Sequence, residues 1–288
     1  MRRFAVIDVG SNSVRLMLVA DGKVLYKRLN TTRLGEGLAQ APFLKPEAAE
    51  RSAIAVSQFY MQAKEDGAEE VFVFATAATR TAKNKEIFTD RVKELCGLSV
   101  DVIPGEEEAE IGMLGALGNS DGAIIDIGGA STEIVVKKGG QILYKKSVDI
   151  GVVRLKDLCG RDKETLEEVS LAAIKSFGFV PTETIFYGIG GTATTLAAQC
   201  LGLAEYSSDK ITGSVFSVKD VEGLADKFCA MSVEEIATLP CMPKGREDVI
   251  LGGAVWMATL MKALGISQIT ASDRDNLEGY AIKRGLME

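Results

Sequence analysis

Asp8 and Asp126 each end an apolar run with an Asp-x-Gly step, and each leads into a small polar turn. The first turn reads Asp8-Val9-Gly10-Ser11-Asn12-Ser13, and the second reads Asp126-Ile127-Gly128-Gly129-Ala130-Ser131-Thr132. Turns of this kind point backbone N–H groups outward, where they bind anions. A carboxylate beside them can hold a hard cation that bridges phosphate oxygens. Gly128 and Gly129 also let the backbone approach a phosphate closely. Alone, Asp-x-Gly is an ordinary turn. Here it recurs in context: AVIDVGSNSVRLMLVADGKVLYKR (5–28) aligns without a gap on AIIDIGGASTEIVVKKGGQILYKK (123–146), with nine of 24 positions identical. The offset is far longer than a solenoid period of about 20–50 residues. It implies two related domains, whose acidic turns, facing each other across a cleft, would hold a phosphate chain.

Three further clusters carry potential chemistry. The turn containing Gly190, Gly191 and Thr192 follows the strand TIFYGI (184–189) and opens a helix. The dipole at a helix start favours an anion. Arg80 lies in the polar turn after the buried strand VFVFAT (71–76). Strand carboxyl ends are where α/β folds place their sites, although on this evidence alone a solvated arginine is the better account of Arg80. Glu106, Glu107, Glu108 and Glu110 crowd the start of a helix after Pro104-Gly105. Acids there stabilise the helix through its free N–H groups and dipole. One of them, near the edge of the stripe Ala109, Met113, Leu114 and Leu117, could face the cleft with a raised pKa. Spacing leaves open which one.

The elements that must position these groups follow an α/β plan. Each half is a three-strand meander (4–9, 14–20 and 23–29 in the first) followed by alternating helices and strands. Helices are expected at 47–66, 85–96, 106–117, 163–177, 217–230 and 232–238, and a long apolar one from Glu247 to Leu264. The segment 118–122, GNSDG, is the best boundary, which gives domains of 1–118 and 119–288. The last helix, 276–286, is assigned to the second domain or packed back on the first.

Composition narrows the chemistry. There is no histidine, so acid–base work falls to Asp, Glu, Lys, Tyr or Cys, and a metal site must use oxygen ligands. The net charge of −7 offers no basic face for nucleic acid. Five scattered cysteines without a C-x-x-C pair read as reduced thiols. No secretory signal is visible at the N-terminus, and the apolar run 250–261 is shorter than the roughly 20 residues of a membrane span. A soluble cytoplasmic protein, with no membrane partner, is the expectation.

Together the motifs resemble the exopolyphosphatase / guanosine pentaphosphate phosphatase (Ppx/GppA) family of the actin-like ATPase superfamily. The matching segments are VIDVGSNSVRL (6–16), FATAATRTAKN (74–84), VIPGEEEAEIG (102–112), IIDIGGASTEIV (124–135) and YGIGGTATTLAA (187–198), in the family's order. The resemblance implies an α/β fold of two tandem ribonuclease-H-like domains with an interdomain cleft. It implies Mg²⁺-dependent removal of terminal phosphate from inorganic polyphosphate, or from a phosphorylated nucleotide such as guanosine pentaphosphate.

By motif position it places the catalytic glutamate on Glu108 and the phosphate-binding arginine on Arg80. The substrate-binding set it implies is Gly10, Ser11, Asn12, Ser13, Arg15, Gly128, Gly129, Ala130, Ser131, Thr132, Gly190, Gly191 and Thr192. Asp8, Asp126 and Glu133 are the implied Mg²⁺ ligands. The chain departs from the family pattern at Ala130, where a third glycine is usual, and in the closing motif SDRDNLEG (272–279), which lacks Gly-Leu-Arg. Longer members add a helical domain with His-Asp metal ligands, which a chain without histidine does not carry, so short polyphosphates are the expected substrates. A phosphate-chain sensor without turnover is the rival of another class, a kinase of the same superfamily is a weaker one, and a homodimer is the oligomeric state considered.

Overall fold

A computed structural model describes residues 2–287. The first meander is β1 (Arg3–Val9), β2 (Ser13–Ala20) and β3 (Lys23–Thr31). It continues through α1 (Pro46–Glu65), β4 (Glu70–Ala75), α2 (Ala77–Thr81), α3 (Glu86–Cys96), β5 (Val100–Val102) and α4 (Gly105–Leu117). The second meander is β6 (Gly122–Ile127), β7 (Thr132–Lys138) and β8 (Gln141–Val148). After it come α5 (Val152–Cys159), α6 (Lys163–Ile174), β9 (Phe186–Ile189), α7 (Gly190–Cys200), α8 (Ser208–Ile211) and β10 (Val215–Ser217). The chain ends with α9 (Val218–Ala230), α10 (Val233–Ala237), α11 (Ile250–Leu264), β11 (Gln268–Ala271) and α12 (Asn276–Lys283).

The first sheet has the order β3-β2-β1-β4-β5, with β1, β4 and β5 parallel. The second, β10-β11-β9-β6-β7-β8, repeats that plan with β10 added as an antiparallel edge. Each lobe is thus an α/β unit of ribonuclease-H-like order. β1 is buried on both faces: Ala5, Ile7 and Val9 meet the core under α1 and α3, while Val6 points to the opposite side. This is why its sequence is a continuous apolar run rather than an alternating one.

Two helices fill the space between the lobes. Ile111 of α4 packs with Val6 and Phe74 of the first sheet, whereas Ala109, Met113 and Leu117 pack with Ile124 and Val135 of the second. α12 crosses α4 and lies against the first sheet, where Tyr280 stacks on Phe74 with ring centroids 4.5 Å apart. The crossing is close enough that a Cβ on Gly115 would overlap the Asp275 carbonyl, and one on Gly279 would overlap that of Ile111. These glycines let the chain's last helix bring Asp275 and Asn276 to the cleft.

Three local readings change. The turn expected around Arg80 is a short helix, α2, built on the buried small residues Ala77 and Ala78. The apolar helix expected from Glu247 begins at Ile250, because residues 245–248 are engaged in polar contacts outside it. The helix α5 carried no strong sequence signal, and its first amides donate to the carbonyls of Gly128 and Gly129. Among the described residues no helix is long and apolar enough to cross a membrane, and the five cysteines are unpaired.

Candidate active site

Both Asp-x-Gly turns are closed by the same bond, Gly10 N–H to Ser13 O and Gly128 N–H to Ser131 O, each 3.0 Å. Each is also pinned from behind. Thr32 and Arg33 donate to Asn12 O and Gly35 to Ser11 O, as Val152 and Val153 donate to Gly128 O and Gly129 O. The duplication therefore extends to how the loops are held. The loops face each other closely: a Cβ on Gly129 would stand 2.7 Å from that of Ser11. Between them lies a cleft of about 330 Å³.

The cleft is lined by Asp8, Gly10, Ser11, Asn12, Ser13 and Arg15 from the first lobe and by Asp126, Gly128, Gly129, Ala130 and Ser131 from the second. Gly190, Gly191 and Thr192 form a third wall, and Glu108 reaches it from α4. Gly190 adopts φ 73°, and its bare backbone fits against the Asp126 carboxylate. No side chain caps the start of α7, so its first amides are free for an anion.

Some expected residues stand back from the cleft. Thr132 is fully buried, donating to Ile150 O at 2.5 Å and accepting from Trp256 Nε1 at 2.8 Å. Its hydroxyl is committed to the core, which removes it from the substrate-binding set. Arg15 lines the cleft but is held by Asp8 and Asp275, so the structure shows a charge-balancing arginine rather than a free phosphate ligand. Arg80 sits behind the wall, donating to Glu108 Oε2 at 2.7 Å and to Ile103 O at 3.1 Å. Glu133, also behind the wall, accepts from Ser147 Oγ at 2.6 Å and keeps its other oxygen buried without a partner.

Asp8 faces Arg15 across the β1–β2 ladder, and Asp126 faces Glu133 across the β6–β7 ladder. Arg15 and Glu133 are equivalent positions of the repeat. One copy therefore holds an ion pair and the other two buried acids. Burial raises Asp8, opposed by Arg15. Burial also raises Glu108, with Arg80 opposing it. Burial, with Asp275 and Glu108 nearby, pushes Asp126 up to about 8. Burial and the same kind of repulsion, from Glu108 and Asp126, place Glu133 well above the usual range. Asp275 alone is lowered, because Arg15 and Lys27 outweigh its burial.

This acid excess tests the implied metal. The donors are all oxygen, and Asp8 Oδ1 and Glu133 Oε2 are buried without partners. Among the described residues no three acids gather closely enough to hold an ion by themselves. The set therefore fits Mg²⁺, which commonly takes one or two carboxylates together with substrate phosphates, and does not form an all-protein cage. A stability prediction follows. Asp126 ionises near 3.8 when unfolded and near 8 when folded, so its protonated form favours the fold. Its contribution is complete below 3.8 and lost as pH rises through about 8. In chelator the melting temperature should drop across that window, and Mg²⁺ should raise it more at alkaline than at acidic pH. Thermal unfolding with and without Mg²⁺ checks this, and an equal Mg²⁺ effect at both ends would contradict it.

Sequence reasoning missed several cleft residues, among them Asp275, Asn276 and Arg246. Asp275 comes from the closing motif, where it caps α12 and holds Arg15. Its neighbour Asn276 donates to Asp126 Oδ2 at 3.3 Å. No arginine from that motif enters the cleft: Leu277 is buried in the core, and the basic partners, Arg15 and Lys27, come from the first sheet. Arg246, half-buried on the segment before α11, touches Thr195 Oγ1 at 3.1 Å and, among the described residues, forms no ion pair. Burial and the positive Arg15 lower its pKa to about 10. An arginine facing a phosphate-sized cleft without a carboxylate is suited to an anion.

The comparisons with known proteins agree with this geometry. The Ppx/GppA phosphatase family model matches residues 19–285. Exopolyphosphatase 2 of Mycobacterium tuberculosis is 33% identical, covering 98% of this chain and 98% of its own length. The guanosine-5'-triphosphate,3'-diphosphate pyrophosphatase of Photobacterium profundum is 38% identical over 99% of this chain, which spans 58% of that protein. The crystal structure of the Aquifex aeolicus Ppx/GppA family member superposes with a TM-score of 0.79 at 28% identity, covering 99% of this chain and 98% of that one. The chain belongs to the Ppx/GppA phosphatase family.

Proposed function

We propose that this chain is a cytoplasmic phosphoanhydride hydrolase that releases terminal phosphate from inorganic polyphosphate. The observation that carries the reading is Glu108, a buried carboxylate on the wall of a cleft whose other walls are two phosphate turns and an uncapped helix start. The relative named exopolyphosphatase 2, similar over its full length, supports the same substrate class.

In this reading Glu108 takes the proton of the attacking water, and burial makes it a stronger base than an exposed glutamate. The turn amides, the first amides of α7 and Arg246 hold the phosphate oxygens as charge shifts between them. Phosphoryl transfer depends chiefly on such positioning and electrostatics, so a site without histidine suffices. Asp126, with Asp8 Oδ1 on the opposite lobe, would hold Mg²⁺ together with the substrate phosphates, and Glu133, behind the wall, would act on it through Asp126. When bound, Mg²⁺ supplies positive charge against the phosphate oxygens.

Phosphate release should be measured from tripolyphosphate, long polyphosphate, guanosine pentaphosphate and ATP, each with Mg²⁺ and with chelator. Tripolyphosphate should be cleaved, and chelation should abolish the activity. The cleft of about 330 Å³ holds only terminal phosphates, and a net charge of −7 gives a polyanion no long-range retention. On a gel, long polymer should therefore shorten gradually as one population. Full-length polymer persisting beside free phosphate would reveal processive action instead. Guanosine pentaphosphate is the second reading. It is favoured by Tyr206, a half-exposed aromatic at the cleft edge on which a base could stack, and by the relative named for that nucleotide.

A further inference from the structure

Asp248 lies two residues beyond Arg246, on the segment that leads into α11. One of its oxygens, Oδ2, accepts from Arg33 Nη2 at 2.8 Å and also from Lys156 Nζ. Its other oxygen is buried without a partner. The two cations belong to different lobes: Arg33 follows β3 in the first, and Lys156 is on α5 in the second. Arg33 is held in the left-handed region, φ 54°, which is costly for a residue with a side chain. Its backbone donates to Asn12 O at 2.9 Å, so the segment bearing Arg33 is the one that pins the first phosphate turn.

Neighbouring contacts cross the same gap. Thr31 Oγ1 donates to Lys244 O at 2.6 Å, and Gly37 N–H donates to Asp157 Oδ2 at 2.8 Å. Contacts therefore run from the Asn12 carbonyl through Arg33 to Asp248, and Arg246 stands two residues before Asp248 on the same segment.

We propose that Asp248 is a positioning residue: it latches the two lobes closed and, in doing so, anchors the segment that sets Arg246 beside Gly191 and Thr195 on the cleft wall. The Arg246 part rests on the reading of the cleft as a phosphate-chain site. One carboxylate screens Arg33 from Lys156. Without its charge the two cations face each other, and the lobes separate on that side. The cleft wall that carries Arg246 then draws away from the first turn, and a phosphate chain held by both lobes loses contacts on one side.

The test compares wild type with Asp248→Asn, Arg33→Met and the double variant. Small-angle scattering without substrate should show a larger radius of gyration in all three variants. Tripolyphosphate affinity should be measured by calorimetry with Mg²⁺ on an inactive Glu108→Gln background. Each single variant should weaken it about tenfold, within the usual span of intersite coupling. The double variant should be no worse than the weaker-binding single, because both act through one contact. In the active enzyme the loss should appear in KM rather than kcat.

Unchanged scattering and affinity in both singles would overturn the latch, as would additive losses. A lower melting temperature with neither change would show an ion pair that only stabilises the fold, and would overturn it too. If Asp248→Asn does not fold, Arg33→Met carries the comparison. If wild type binds tripolyphosphate without cleaving it, the proposed activity fails while the latch is still decided. If it binds none, the substrate reading fails and scattering alone decides.

Discussion

Glu108→Gln should reduce turnover by about 10² to 10⁴, the usual contribution of a general base, while leaving tripolyphosphate affinity close to that of wild type. The change is nearly isosteric and removes only the proton acceptor. Glu108 is buried, its Oε2 accepts from Arg80 at 2.7 Å, and it lines the cleft with the two Asp-x-Gly turns. Its neighbour is a sharp control. Glu107 carries the same charge one residue away, but it turns outward to Lys283 at 2.5 Å on α12. Glu107→Gln should therefore keep most of the activity. Burial raises the Glu108 pKa, so the base is lost as pH falls through a value above that of an ordinary glutamate. The acid limb of the kcat/KM profile should sit correspondingly high in wild type and vanish in Glu108→Gln. A crippled Glu107→Gln beside a mild Glu108→Gln would reverse the assignment.

What could be read from the sequence was local or duplicated. The two Asp-x-Gly turns were visible because the repeat presents them in the same strand context twice. The third turn was a weak signal by itself, since a Gly-rich strand–helix junction is common, and it gained its role from the family resemblance. The buried acid was narrowed to four glutamates by helix-start chemistry, and to Glu108 only by family resemblance. Spacing could not separate it from Glu107, because the two differ in which neighbouring helix or cleft they face. The repeat also aligns Arg15 on Glu133, but the meaning of that pairing needed strand register. Only the ladders reveal one ion pair and one pair of like acids.

The missed residues share one cause. Asp275 and Asn276 are distant in sequence from both turns and arrive because α12 folds back across α4 at Gly115 and Gly279. Arg246 arrives on a segment without a regular element of its own. Tertiary packing set these positions, and no local pattern encodes it. Thr132 shows the converse. Its place in the motif suggested a phosphate ligand, but at the start of β7 its side chain points into the core and is used by Trp256.

Arg80→Ala should lose about 10² or more in kcat/KM, the scale of a removed electrostatic stabiliser, and should also change the pH profile. The second effect follows from its position. Arg80 is behind the cleft wall, with its guanidinium on Glu108 and on the Ile103 carbonyl. Its positive charge favours the ionised base. Without it the Glu108 pKa rises further, so the acid limb of the profile should move to higher pH. Arg80→Lys restores the charge but not the rigid planar guanidinium, whose Nη1 donates to both Glu108 and the Ile103 carbonyl. It should recover part of the rate and return the acid limb most of the way. The Glu108→Gln background separates two routes of action. If Arg80 acts only by holding Glu108, adding Arg80→Ala there should cost little more, because the two residues form one unit. If Arg80 also meets the phosphoryl group once substrate is bound, the double variant should lose substantially more than Glu108→Gln alone. Full activity in both Arg80→Ala and Arg80→Lys would exclude either route and leave the ion pair as a support for α4.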